Sequence, residues 1–443
     1  MGDPLNWHRF QFAFTIIYHY LFPQLTMGLA LLIVVMKALA LKTKHEKYDT
    51  QARFWIRIFA INFAVGVATG IPMEFQFATN WARFTHHTGA IIGQTLAMEG
   101  VFAFFLESSF LFMLVKGEQR LGPVKHFIVA VLLWVGSWLS GVFVILTNAF
   151  MQHPVGHAVA ADGTLELADF GAFFFNPWGI AQYAHNQMAA LVTGSFVVAA
   201  VGAYWTLRGQ HPEQARLNLK IGTLSGLIAS LLVAFPTGDQ QAKLVAKHQP
   251  AALAAMEGRF ESGGRAGLHI IGQPNVKERR IDNPISVPRV LSFLAYGSFD
   301  ANVAGLDQFP EDQWPTQIEL LYYSFHLMVG LGTLFILVMA IATALRFKGR
   351  LERSKPALWV LMLAWPFPYI ANTAGWMSAE LGRQPWLVYG VMRTADGHSP
   401  TVHAGSALFT LLGFMGLYLV VGIAFVFLMA RELSRGPHAA AHG

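Results

Sequence analysis

A run of apolar stretches, each long enough to cross a bilayer, leaves this chain few folds to choose from. Between charged or Pro/Gly-rich breaks the stretches fall near residues 11–41, 54–78, 90–115, 124–150, 179–206, 218–236, 317–345, 357–380 and 403–430. A helix crosses the hydrocarbon core with about 20 apolar residues. Inside that core every backbone polar group must be paired, which favours helices for runs of this length. Only 13% of the 443 residues are charged and 54% are hydrophobic, whereas a soluble domain carries about 25% charge. The sequence predicts an all-α integral membrane protein with about nine transmembrane helices and one long outer loop.

Charge gives the orientation. Lys42, Lys44, Lys47 and Arg53 lie in the first connection, and Lys116, Arg120 and Lys125 in the third. Arg208, Arg216 and Lys220 lie around the fifth, and Arg346, Lys348, Arg350, Arg353 and Lys355 around the seventh. The alternate connections are poor in Lys and Arg, so the positive-inside rule sets the N-terminus outside and the C-terminus in the cytoplasm. The net charge of +6 is thereby a topology signal and not a nucleic-acid surface. Three regions follow: helices 1–6 over residues 1–236, an outer loop over 237–316, and helices 7–9 with a short cytoplasmic tail over 317–443. The loop is rich in Gly, Pro and charge, with one short helix expected around Pro250–Phe260. The start, "MGDPLNWHRF", shows no basic segment followed by a short apolar core, so no cleavable signal peptide is expected. The absence of cysteine excludes disulfides, iron–sulfur clusters and covalently attached c-type haem.

Chemistry must then come from polar groups inside the spans, where each acid or arginine costs about 2.5–3.5 kcal/mol at a helix centre. "MSAELGRQPW" ends the eighth run with Glu380 and Arg383, three residues apart and on nearly the same helix side. They are either a helix end in the headgroup region or a pair facing something polar within the protein. His19 lies in the first run. Glu99 and Glu107 stand eight residues apart on the third, about 12 Å of rise, and two stacked acids suggest a proton path. Ser108 and Ser140 could add hydroxyl steps or simply pack helices. His185 on the fifth run and Met328 on the seventh are a residue pair known to hold haem iron, although the 16 methionines make the pairing weak by composition alone. From these residues, a haem-b electron-transfer subunit, an oxygen-reactive haem protein and a proton-coupled transporter all stay open.

The motifs narrow the choice. "RFQFAFTIIYHYLFPQLTMG", "GVATGIPMEFQFATNW", "MEGVFAFFLESSF", "TNAFMQHPVG" and above all "GWMSAELGRQPW" make the chain resemble subunit I of the cytochrome bd-type quinol oxidases, including the short-loop, cyanide-insensitive branch. The resemblance covers the whole chain. It implies a respiratory terminal oxidase of the bacterial inner membrane that oxidises quinol (ubiquinol or menaquinol), reduces O2 to water and generates proton motive force without pumping. It also implies a second large subunit and a small single-helix one. Three haems are implied: a low-spin haem b held by His185 and Met328, a high-spin haem b, and haem d or a third haem b. His19 and Glu380 would serve the two high-spin groups. Arg9, Trp376 and Arg383 would hold propionates or sit between cofactors. Glu99 and Glu107, with Ser108 and Ser140, would form the proton route, and Glu257 the quinol site within loop 237–316. Two positions depart from the family pattern: Ala252 replaces a lysine associated with quinol, and His326 replaces an arginine two residues before the haem methionine.

Overall fold

The computed structural model describes residues 3–437, apart from the side chains of residues 103 and 104. Helix α1 (Pro4–Thr43) opens on an Asp3 cap, with Pro4 where no backbone donor is needed. It is followed by α2 (Glu46–Thr79) and α3 (Ala82–Gly100). A π-helical segment, Val101–Glu107, joins α3 to α4 (Ser108–Lys116). Next come α5 (Glu118–Gln152), a small hairpin of β1 (His157–Val159) and β2 (Leu165–Leu167), and α6 (Phe170–Phe174). Helices α7 (Pro177–Arg208) and α8 (Pro212–Leu232) follow, and a second π segment, Val233–Gly238, leads into α9 (Asp239–His248).

The segment expected as an outer loop is ordered. It contains α10 (Pro250–Met256), β3 (Gly263–Gly264), a hairpin of β4 (Leu268–Asn275) and β5 (Arg280–Val287), α11 (Val290–Tyr296) and β6 (Asn302–Val303), which pairs with β3. The chain returns to the bundle as α12 (Ile318–Phe347), α13 (Lys355–Leu363) and α14 (Pro366–Arg383). It ends with the β7 (Trp386–Val388) and β8 (Met392–Arg393) pair, α15 (Thr394–Gly397) and α16 (Ala404–Arg435).

Among the described residues, eight helices are long and apolar enough to cross a membrane. The remaining expected run, 357–380, is divided between α13 and α14. Pro366 and Pro368 occupy the first turn of α14, and proline there is tolerated only because a new helix begins.

The bundle core lies where α1 and α7 cross. A Cβ added at Gly28 would come within 2.2 Å of the Ala190 carbonyl oxygen, and one at Gly194 within 2.9 Å of Gly28. Small residues let the two backbones touch, the packing that substitutes for hydrophobic drive in lipid. At one end, buried Lys37 pairs with Asp49 at 2.7 Å and Glu118 at 3.1 Å, while Arg53 holds the other Glu118 oxygen at 2.9 Å.

Candidate active site

His19 and His185 sit in the same local arrangement on different helices. His19 Nδ1 lies 3.1 Å from Thr69 Oγ1, and that hydroxyl donates to the Val65 carbonyl at 2.9 Å. His185 Nδ1 lies 3.4 Å from Thr237 Oγ1, which donates to the Leu232 carbonyl at 2.8 Å. With each hydroxyl proton committed, each ring must supply the N–H, which leaves Nε2 with its lone pair. This is how the partner of a metal-binding imidazole fixes its tautomer.

Space is kept beside His19 and Met328. A Cβ at Gly70 would stand 2.9 Å from His19 Cε1, and one at Gly375 would stand 2.8 Å from Met328 Sδ. Met328 is on α12 and Gly375 on α14, so the thioether is turned toward the helix that carries Glu380.

Glu380 is the centre of a network. Its Oε1 accepts from Asn148 Nδ2 at 2.7 Å and Gln152 Nε2 at 3.4 Å, both from the end of α5. Asn148 in turn accepts from Gln182 Nε2 at 2.7 Å. The second oxygen, Oε2, pairs with Arg383, whose Nη1 donates to the Leu387 carbonyl at 2.9 Å and whose buried Nε has no partner. Trp376 is half-buried one turn before Glu380, and Arg9 is half-buried near the start of α1.

The donor set fits haem. It offers two imidazoles with a free Nε2, a thioether, a carboxyl group with both oxygens partnered, and a buried guanidinium with a donor to spare for an acidic group.

Glu99 and Glu107 converge on α5. Ser140 donates to Glu99 Oε1 at 3.3 Å, and Glu107 Cγ lies 3.7 Å from where a Cβ at Gly136 would be. The acids are eight residues apart on their own strand of chain but meet α5 within one turn. The π segment between them alters the simple helical spacing, a feature common at functional sites. Glu107 is buried and its Oε1 has no partner. Ser140 therefore meets Glu99, and Ser137 one turn earlier meets Glu107, whereas Ser108 is exposed on the bundle surface.

Glu257 is also buried, and its Oε2 has no partner. Burial pushes its carboxyl up to about 8. The Tyr322 hydroxyl on α12, likewise buried and unpartnered, is within electrostatic reach of it. A hydrogen-bond chain ties this loop to the bundle: Gln249 Nε2 donates to the Gln152 backbone oxygen at 2.7 Å and to Gln152 Oε1 at 2.9 Å, and Gln152 contacts Glu380. Helix α10 also packs on Gly382, where a Cβ would meet Met256 Cε at 3.0 Å and Ala252 Cβ at 3.4 Å. His326 bridges elements: Nδ1 is 2.8 Å from the Tyr322 carbonyl and Nε2 is 2.8 Å from the His269 carbonyl on β4.

Sequence reasoning did not single out Asn148, Gln152, Thr69, Tyr322 or Glu74, the last an exposed acid on α2 within electrostatic reach of Glu99. Glu74 carried a usable signal, a carboxylate in an apolar run. The others have polarity ordinary for helix ends, and only the fold brings them to the site.

With this geometry in hand, the family model for cytochrome bd terminal oxidase subunit I matches residues 7–437. The chain belongs to that family. It is 37% identical to cytochrome bd ubiquinol oxidase subunit 1 of Bacillus subtilis, over 97% of this chain and 93% of the relative. It is 33% identical to cytochrome bd-II ubiquinol oxidase subunit 1 of Escherichia coli, over 99% and 98%. The solved structure of bd oxidase from Geobacillus thermodenitrificans superposes with a TM-score of 0.91 at 31% identity, covering 98% of this chain and 99% of that one. The chain is thus a membrane-spanning subunit of a bacterial terminal oxidase, a quinol:O2 oxidoreductase with haem cofactors.

Proposed function

We propose that this subunit carries both halves of the reaction, quinol oxidation at Glu257 and O2 reduction at the His19 and Glu380 end. The observation that carries this reading is the continuous chain Gln249–Gln152–Glu380, which fastens the loop bearing Glu257 to the carboxylate of the bundle. His185 and Met328 would hold a low-spin haem b. His19 and Glu380 would hold two high-spin haems, one b and the other d or b, and Arg9, Trp376 and Arg383 would hold propionates or sit between cofactors. Haem bound there supplies one-electron transfer and the O2-reducing centre.

The chain's own residues handle protons and orientation. Glu257 in its ionised form accepts a hydrogen bond and then a proton from a quinol hydroxyl. The Tyr322 hydroxyl is available to orient the second oxygen atom of that head group. Asn148 and Arg383 hold the Glu380 carboxyl group in position. Glu107 takes protons arriving from the cytoplasmic side and passes them through Ser140 toward Glu99, and Ser108 stands at the entrance where a second large subunit would cover it. Protons are released outside and taken up from inside, so charge separates without a pump. Loop 237–316 and the N-terminus face outward, and the C-terminus faces the cytoplasm. A small single-helix subunit and either ubiquinol or menaquinol complete the assembly.

A reduced-minus-oxidised spectrum of the purified complex, repeated with carbon monoxide, tests this reading. Low-spin b together with CO-reactive high-spin haem is the expected result. Low-spin haem alone, or no haem, would remove the O2-reducing centre from the residues assigned to it here.

A further inference from the structure

At the opposite end of α12 from Tyr322, the α7–α8 turn meets the α12–α13 connection around a cavity of about 480 Å3. Trp205, Thr206, Pro212, Arg216, Glu352 and Arg353 line it. The walls at the two turns are bare: Gly209 has φ +66° and Gly349 φ +64°, and a Cβ at either would meet nothing within 4 Å. Among the described residues no ion pair engages Arg216, Arg353 or Glu352. Trp205 is fully buried, yet its Nε1 has no hydrogen-bond acceptor. A buried N–H is normally paired, because leaving it unpaired forfeits its hydration, and Trp205 is part of this cavity's lining.

The geometry points to a binding site for the phosphodiester headgroup of an anionic phospholipid. Two guanidinium groups and an indole N–H are donors suited to phosphate oxygens. Glu352 sets the net charge of the lining at +1, which matches a phosphodiester monoanion and disfavours inorganic phosphate as a dianion. Phe347 is 72% exposed and Trp359 50% exposed on the adjoining helices, giving acyl chains an apolar surface. Basic pockets between membrane helices on the cytoplasmic side bind acidic lipid heads in this way. The assignment to the cytoplasmic leaflet rests on the orientation proposed above.

The test uses the complete oxidase complex, stripped of lipid in detergent, with dioleoyl phosphatidylglycerol, dioleoyl phosphatidylethanolamine or inorganic phosphate added back. Native mass spectrometry counts retained lipid, and melting curves report protection. Phosphatidylglycerol is expected to remain bound and to raise the melting temperature. The double variant Arg216→Gln/Arg353→Gln should need at least tenfold more of it, with quinol oxidase turnover unchanged. If that variant fails to assemble, Trp205→Phe keeps the ring and should weaken retention. Glu352→Gln should tighten it and admit inorganic phosphate. Equal lipid dependence in wild type and variants, equal protection by phosphatidylethanolamine, or protection of the wild type by phosphate alone would each overturn the proposal. The chain's lack of cysteine allows a separate check with Lys348→Cys and a membrane-impermeant maleimide. Labelling from the cytoplasmic side is expected. Labelling from outside would overturn the orientation while leaving headgroup binding to stand or fall by the lipid arms.

Discussion

Two carboxylates at the same end of the molecule, Glu380 and Glu257, are held in opposite ways. Both oxygens of Glu380 are partnered, Oε1 by Asn148 and Gln152 and Oε2 by Arg383. Glu257 is buried with Oε2 unpaired, beside the equally unpaired Tyr322 hydroxyl. A carboxyl group whose two oxygens are both held by donors is fixed in position and suits a permanent partner. One kept without donors favours its protonated form and suits a partner that comes and goes. On the proposed function, Glu380 would serve a resident group and Glu257 a substrate.

The sharpest way to break this contrast is to remove each acid in turn. Glu380→Ala should lose or displace a high-spin haem and lower O2 reduction by about 100-fold or more, the upper range for disrupting a metal site. Normal haem stoichiometry and CO binding in that variant would remove the resident role. Glu257→Ala should leave every haem signal intact yet lower quinol-driven O2 uptake roughly 100-fold. Uptake from an artificial reductant that bypasses the loop should be retained, and equal loss in both assays would place the damage elsewhere. Tyr322→Phe, which removes only the second orphaned oxygen, should cost about tenfold in the quinol assay alone.

The pH profile sharpens the same distinction. With the Glu257 carboxyl pushed up to about 8 by burial, the protonated form prevails below that pH and the ionised acceptor above it. Quinol-driven uptake should therefore climb toward pH 8 through this group and level off beyond. Glu257→Gln, which cannot ionise, should lose that limb, and its persistence would assign the limb to another group. Glu107→Gln tests the inner acid: turnover about tenfold slower with unchanged haem content is expected, and full turnover would take Glu107 off the proton route.

What the sequence made legible follows the length scale of each signal. The long spans were readable because twenty-residue apolarity is a local property, and Glu380, Arg383, Glu99 and His185 stood out because charge and imidazole are costly there. The division of the eighth run was carried by Pro366 and Pro368, which an apolar count passes over. The π segment Val101–Glu107 has no compositional mark, so the convergence of Glu99 and Glu107 on α5 had to be seen. Asn148, Gln152 and Tyr322 were hidden for a different reason. Asn148 meets Glu380 across 232 positions of chain, and nothing in the local residues of either foretells that contact.

Ala252 gives the smallest expected effect and the finest test of the comparison. It is 1% exposed, and its Cβ packs against Gly382, the residue before Arg383. Ala252→Lys would place a long cation in a closed seam near a guanidinium, and overpacking of this kind costs about 1–3 kcal/mol. The lysine stem can bend along the apolar surface and bring its ammonium to polar surroundings, toward Glu257 on the following turn. There it would give the unpaired carboxylate a donor and so favour its ionised form. The expected outcome is a KM for quinol several-fold lower than in Ala252→Met, which fills the seam without charge, with turnover and haem spectra little changed. The same KM in both variants would mean that the cation is not felt at Glu257. A loss of high-spin haem in the lysine variant alone would mean that it is felt at Arg383 instead, and the two carboxylate sites would then be electrostatically one.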